Sequence, residues 1–308
     1  MTLFDLPEAD GCPEPASRAD SDPDEQDPEA APRGPLCRVA MLVAYDGTDF
    51  HGFARQPDLR TVGGEFAAAL EHMSGSPVQI VCAGRTDTGV HATAQVVHVD
   101  LPSPWLQAQS ARRKVLGGDL AWLAGSVSAQ LGPEVTVAEA WFAADGFDAR
   151  HSALARRYRY DVLNTNGACP LLARTTWFVP GPLDLKAMRT ASDTLLGEHD
   201  FAAFCRRPPD KSEGPICRRV LDSGWTVLAE PVGVMRFEIE ATAFCHQMVR
   251  SLVGSLVAVG EGKMTPADVF ALLGSGDRAG AARPAPPQGL CLIAVTYGAG
   301  EVPSTTRT

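Results

Sequence analysis

The stretch "AGRTDTGVHATAQVVHVD", Ala83 to Asp100, holds an arginine, an aspartate and a histidine close together: Arg85, Asp87 and His91. Arg85 and Asp87 are two residues apart, so on an extended turn both can point into one pocket. A carboxylate next to a guanidinium can serve as a nucleophile or base held in its charged form. It can equally be an exposed ion pair worth about 0 to 1 kcal/mol. Gly84 and Gly89 explain the turn, because glycine permits close backbone approach or positive φ, but they do not explain the charges. A metal-dependent hydrolase built on Asp87 and His91 is a further possibility, yet no second carboxylate stands at a convincing spacing. His91, His98, His199 and His246 form no metal-ligand pattern, so no metal site is expected and His91 reads as a packing or hydrogen-bonding residue. No glycine-rich phosphate loop of the dinucleotide or P-loop kind is present.

The elements that must position this turn come from a chain of 308 residues, 45% hydrophobic, enough for one large core or two modest ones. No apolar run approaches the roughly 20 residues of a membrane span, so no membrane partner is expected. The first residues, "MTLFDLPEADGCPEPASRAD", lack a basic leader and an apolar core region. A cytoplasmic protein is the expectation. The eight cysteines include no two that lie two to four residues apart, which predicts buried reduced thiols rather than a zinc knuckle or redox pair. Cys245 beside His246 suggests a thiol nucleophile only weakly, since neighbours on a helix face different ways.

The net charge is -10, but most of it lies in the first 33 residues, where ten acidic side chains face only Arg18 and Arg33. Residues 1–36 are expected to form a disordered acidic tail. The remainder is close to neutral and carries cationic clusters at Arg112, Arg113 and Lys114, at Arg156, Arg157 and Arg159, at Arg206 and Arg207, and at Arg218 and Arg219. Such clusters suit a phosphate backbone, or they are solvated helix ends and strand edges.

Periodicity then gives an order of elements. "RVAMLVAYDG" reads as a buried strand, and "TVGGEFAAALEHM" as a helix capped by Thr61. "VQIVCAG" and "AQVVHVD" read as strands, a helix is expected from Pro104 toward Trp122, and "EVTVAEAWFA" closes a β-α-β-β-α-β series. That is the ferredoxin-like split unit. The order recurs in "RRYRYDVLN", "LDLKAMRTASDTLLG", "RRVLDSGWTVLA", "VGVMRFEIEATAF", "HQMVRSLVGSLVAVG" and "LCLIAVTYG". A short strand near "TTWFV" and a helix in "TPADVFALLG", with Thr265 as cap, are insertions. The expected fold is α+β: an N-terminal ferredoxin-like half over 37–150, a C-terminal half over 151–298 and a flexible end over 299–308. A cleft between the halves could admit a ligand.

The turn resembles the catalytic motif of the tRNA pseudouridine synthase A family, GRTDAGVHA, from which only Thr88 departs. The resemblance extends through "YDGTDFHGF", "RRYRY", "GEHDFAAF", "FCHQMVRSLVGSLVAVGEG" and "PQGLCLIAV", roughly Arg38 to Tyr297. It implies one extended, mainly antiparallel sheet with helices on one face and a central cleft. It also implies a homodimer binding tRNA, and isomerisation of uridine to pseudouridine on the 3′ side of the anticodon stem-loop, at tRNA positions 38, 39 and 40.

By the same resemblance Asp87 is the catalytic aspartate, attacking either the base or the sugar. Arg250 pairs with its carboxylate, whose ionised form burial alone would oppose. Arg85 fills the gap left by the displaced nucleotide or holds its phosphate, Tyr158 lies against the target base, and Leu290 lines the pocket. On a strand Tyr160 points the same way as Tyr158, so the sequence does not separate the two. Redox-neutral isomerisation requires no cofactor. The chain departs from the family at Phe53 and Ala54, where Trp-Gln is usual, at Gly63, where glutamine is usual, and at Ser128, which stands in place of an asparagine. These positions bear on RNA contacts or packing rather than directly on the chemistry. A catalytically silent RNA-binding protein of the same fold is the competing reading.

Overall fold

The structure, a computed structural model, describes residues 34–114, 119–207 and 214–302. The expected acidic tail lies outside the described residues as far as residue 33, and the expected flexible C-terminus does so from residue 303. The first strand, β1 (Leu36–Tyr45), begins just inside the span assigned to the tail, with Leu36 opposite Pro102.

The elements that follow are α1 (Val62–Ser74), β2 (Val81–Cys82), β3 (His91–Pro102), α2 (Ser103–Arg113), α3 (Ala121–Leu131) and β4 (Val135–Phe142). Then come β5 (Ala155–Leu163), β6 (Trp177–Phe178), α4 (Leu185–Asp193), β7 (Gly197–Asp200), β8 (Cys217–Val227), β9 (Val234–Ala241), α5 (Met248–Gly260), α6 (Pro266–Leu272) and β10 (Leu290–Thr296). The Thr61 side chain accepts the Gly64 N–H to start α1, and Thr265 and Asp268 form a reciprocal capping box at α6.

All ten strands join in one sheet, ordered β4-β1-β3-β10-β5-β9-β8-β7, with β2 beside β3 and β6 beside β5. The first four strands run 4-1-3-2 across the sheet. The series β5, β8, β9, β10 shows the same permutation, as expected of two ferredoxin-like units. Pairing is antiparallel except at β5–β6 and at β3–β10, where Cys291 and Leu292 lie opposite His91 and Ala92.

Several expectations need correcting. The helix expected through Pro104 to Trp122 is two helices, because Lys114 takes a left-handed conformation (φ 55°) at the end of α2. The strand read from "VQIVCAG" holds its ladder only at Val81 and Cys82. Beyond Ala83 the polar Gln95 side chain takes over: its Nε2 donates to the Gly84 carbonyl at 2.7 Å and its Oε1 accepts the Gly84 N–H at 3.4 Å. The short β2 leaves the other end of the same β3 edge to β10. This seats the turn that follows β2 at the seam between the two strand series. The strand β7 had no sequence signal, and Leu195 lies past the end of α4 although it is buried.

The first two arginines of "RRYRY", Arg156 and Arg157, are committed to protein partners. Arg157 pairs with Glu240 at 2.6 Å and Asp222 at 3.2 Å, and on the same face Arg236 pairs with Asp161 at 2.8 Å. Arg156 points to the other face and donates to the carbonyls of Ala83, Arg150, Ala153 and Thr242. Arg219 pairs with Glu198 at 2.9 Å. Of the other clusters, Arg113 lies over the Trp122 ring, 4.6 Å from its centroid. The Ser128 hydroxyl accepts the Val137 N–H at 2.8 Å, which ties α3 to β4.

The cysteine expectation also fails in part. Cys205 and Cys245 form a disulfide although 40 residues separate them, with Cα atoms 5.8 Å apart. Local spacing tests only local pairs, and the fold brings these two together. Cys37, Cys82, Cys169 and Cys291 are free thiols.

Candidate active site

The turn Ala83–Val90 is held from beneath by buried polar groups. The Thr86 hydroxyl bonds the Tyr45 hydroxyl at 2.8 Å, and the Thr86 carbonyl accepts the Phe53 N–H at 3.1 Å. Gln95, with no exposed surface, holds Gly84, and Arg156 holds the Ala83 carbonyl from β5. Gly52 has φ +89°, and a Cβ there would stand 2.9 Å from the Thr86 carbonyl oxygen. Only glycine lets the Phe50–Phe53 segment approach the turn so closely. At the far end Gly89 (φ +77°) packs on Pro287, whose Cγ would lie 3.0 Å from an added Cβ. Phe53, one of the positions that departs from the family pattern, is therefore part of the support of this turn through its backbone N–H.

With its backbone fixed, the turn presents Asp87 with a side chain 24% exposed. Arg250, from the first turn of α5, places Nη1 3.0 Å from Asp87 Oδ2 and is itself anchored by Nε donating to the Ala285 carbonyl at 2.8 Å. The other carboxylate oxygen, Oδ1, faces His246 Nε2 at 3.5 Å. The carboxylate thus has a cation on one oxygen and a titratable ring on the other. His246 is 50% exposed and Arg250 15%, so the permanent charge is the buried one.

Tyr158 and Tyr160 separate clearly. Tyr160 is completely buried, donates to the Pro286 carbonyl at 2.7 Å and packs against Gly289 and Trp177. Tyr158 is 7% exposed and meets the edge of Phe244 at 5.1 Å between centroids. Burial pushes its hydroxyl well above the ordinary tyrosine range, and the nearby Asp87 charge acts in the same direction. The ring therefore stays neutral. Leu290 is buried at the start of β10, opposite Tyr160 and directly after the 3-10 turn Pro287–Gly289 that packs on Gly89. Arg85 is exposed on the same turn as Asp87.

The structure therefore brings Asp87, Arg250 and Tyr158 together, with Leu290 buried opposite Tyr160 and Arg85 exposed on the turn. The helix expected from His246 starts at Met248. His246 precedes α5, where Gln247 is left-handed (φ 63°), and that bend turns the ring toward Asp87. Gln95 was also missed, although a glutamine inside an apolar strand run is a signal that a buried backbone group needs a partner. His91 is 8% exposed; Nδ1 accepts the Gly47 N–H at 3.1 Å, and Nε2 lies 2.8 Å from the Arg174 carbonyl and 3.1 Å from that of Gln288. Both ring nitrogens serve the scaffold. Among the described residues no group of three or more His, Cys, Asp or Glu is placed to hold a metal ion.

Comparison with known proteins shows the family. A family model described as tRNA pseudouridine synthase matches residues 41–115 and 191–298. A protein of Frankia casuarinae named tRNA pseudouridine synthase A is 46% identical over 264 residues, covering 85% of this chain and 90% of its own. Proteins of the same name from Leifsonia xyli subsp. xyli (44% over 271 residues, 84% and 91% covered) and Corynebacterium glutamicum (38% over 265, 84% and 89%) are also similar. A chain of a solved Cbf5-Nop10-Gar1 complex aligns over 83% of this chain and 58% of that one, at 13% identity and a TM-score of 0.31, too distant to bear on the site. With the family model matched over more than half of its length and these relatives over most of theirs, the chain belongs to the tRNA pseudouridine synthase A family.

Proposed function

We infer that this chain isomerises uridine to pseudouridine on the 3′ side of the anticodon stem-loop of tRNA. The observation that carries the reading is the Asp87 carboxylate at the seam of the sheet, fixed by Arg250 at 3.0 Å beside the Tyr158 ring. In the isomerisation the bond from ribose C1′ to N1 breaks, a bond from C1′ to C5 forms, and the C5 hydrogen leaves as a proton. Atoms and electrons balance without an oxidant, so no cofactor is needed. Asp87 is proposed as the attacking group, at either the base or the sugar, and Arg250 as the cation that orients its carboxylate and opposes the cost of burying it.

Tyr158 supplies a neutral aromatic face for the uracil, and Leu290 an apolar wall. A base in a stem must first leave its stack at a cost of about a few kcal/mol. Arg85, exposed on the turn, is suited to the displaced nucleotide's phosphate or to the space it leaves. The halves 37–150 and 151–298 each contribute one side of this site, with the turn from the first and α5 from the second. A homodimer in which one tRNA spans both subunits, in the cytoplasm, completes the proposal. It draws support from the family likeness, and no described helix is long and apolar enough to cross a membrane.

The test is incubation with an unmodified tRNA transcript, without added metal or cofactor, followed by nucleoside mass spectrometry and carbodiimide mapping. Pseudouridine at positions 38 to 40 is expected. Tight tRNA binding with no product would favour the silent RNA-binding protein.

A further inference from the structure

Beside Tyr158 of β5 and Leu290 of β10, the second half presents one short segment to the carboxylate, Phe244 to Arg250. Phe244 packs on Tyr158, His246 faces Asp87 Oδ1, and Arg250 holds Asp87 Oδ2. Between Phe244 and His246 stands Cys245, joined to Cys205. A backbone bond lies beside the disulfide, with the Arg206 N–H donating to the His246 carbonyl at 2.9 Å. These two links fasten the segment to the chain that follows the 3-10 turn Ala202–Phe204. Phe244, Cys245 and His246 all precede α5, whose first N–H, that of Met248, bonds the Cys245 carbonyl at 3.1 Å.

We propose that Cys205 and Cys245 form a reversible thiol–disulfide site whose oxidised state positions His246 and Phe244 against Asp87 and Tyr158. The inference rests on the isomerase reading above. Cys205 is 1% exposed whereas Cys245 is half-buried, so an incoming thiolate reaches Cys245 Sγ first. With a small dithiol as the reductant class, one thiolate attacks Cys245 Sγ, the S–S bond breaks, and the Cys205 thiolate leaves and takes a proton from water. The second thiol of the reductant then displaces Cys245, which also ends as a thiol, and the reductant departs as a cyclic disulfide. Two electrons pass from reductant to protein. A small-molecule disulfide runs the same exchange in reverse. In reducing compartments a protein disulfide is usually transient and redox-sensing. The position of this one, next to a residue that faces the candidate nucleophile, gives such a change something to act on.

The test uses the full chain, equilibrated with reduced or with oxidised dithiothreitol, and reads differential thiol alkylation by mass spectrometry and tritium release from C5-labelled tRNA. We expect Cys205 and Cys245 to be alkylated only after reduction, and kcat to fall about 10-fold on reduction, because small misplacements near reacting groups are costly. The tRNA Kd should move less than about two-fold. Cys205→Ser and Cys245→Ser should each show the low kcat in both conditions while keeping the wild-type circular dichroism spectrum. Cys169→Ser, which alters a free thiol outside the disulfide, should keep the full redox response.

Equal kcat in both states with the disulfide demonstrably made and broken would overturn the inference, as would thiols that stay alkylatable after oxidation or a bond that the dithiol cannot break in the folded chain. No tritium release in either state would instead sink the isomerase reading itself.

Discussion

The two sides of the site are built in opposite ways. The turn Ala83–Val90 rests on buried and mutually supporting contacts: Gln95 to Gly84, Tyr45 to Thr86, Arg156 to Ala83, and Gly52 against Thr86. Across from it, the segment Phe244–Gln247 is half-exposed and carries a left-handed residue. Upstream it is fastened by the Cys205–Cys245 disulfide and the Arg206 N–H on the His246 carbonyl. Only at its far end, through Cys245 and Gln247, do bonds from Met248, Ser251 and Arg278 join it to α5 and the chain beyond. The comparison teaches that the carboxylate is placed by a rigid scaffold, whereas part of what faces it is adjustable. Arg250 belongs to the rigid class despite coming from the second side, because α5 is buried along almost its whole length and Ala285 holds the guanidinium.

If that division is right, the largest effect after loss of Asp87 itself should follow Arg250→Ala, which leaves a partly buried carboxylate without its cation. We expect kcat to fall by about 100-fold or more, in the range of a lost electrostatic partner at a reacting centre. Arg250→Lys should recover little, since one ammonium cannot bond Asp87 and the Ala285 carbonyl in the same fork geometry. Steady-state kinetics on an unmodified tRNA transcript checks both.

Gln95→Leu should come next, with a different signature. It orphans the backbone of Gly84, at a cost of about 1 to 3 kcal/mol. Urea unfolding should show that loss of stability together with reduced kcat. Loss of stability with kcat untouched would mean that the turn does not need its scaffold.

His246→Ala tests the adjustable side. Removing a half-exposed partner should lower kcat only about two- to five-fold, the scale of a solvent-screened pair. A loss as large as that of Arg250→Ala would erase the distinction between the two sides.

The smallest effect concerns the scaffold at acid pH. His98 Nδ1 accepts the Ala149 N–H at 2.9 Å, and burial holds its pKa below the usual histidine range. The unfolded chain therefore binds the proton more readily, so stability is present at neutral pH and is lost as pH falls below about 6.5. His98→Asn should flatten the dependence of Tm on pH between about 7 and 5. An unchanged slope would show that His98 does not carry it.

Much of this arrangement was legible in the chain. Apolar alternation located most strands, Thr61 and Thr265 marked helix starts, and the proposed site residues Asp87, Arg250 and Tyr158, far apart in the chain, meet in the fold. What escaped reading depended on contacts distant in sequence. Nothing local shows that "VQIVCAG" pairs at only two residues, because Gln95 ends the ladder from another strand. The first two arginines of "RRYRY" resemble a phosphate-binding cluster until Glu240, Asp222 and the carbonyl of Ala83 are seen to occupy them. The Cys205–Cys245 pair and the turn of His246 toward Asp87 likewise exist only once α5 meets the chain after β7.

The central claim is that Asp87 performs the isomerisation from a prebuilt turn. The direct measurement is tritium release from tRNA labelled at uridine C5, comparing the wild-type chain with Asp87→Asn under saturating tRNA and without added metal. The account predicts release by the wild type and none above background by the variant, with tRNA Kd and the urea midpoint close to wild type. Substantial release by Asp87→Asn would contradict it and move the chemistry to another residue.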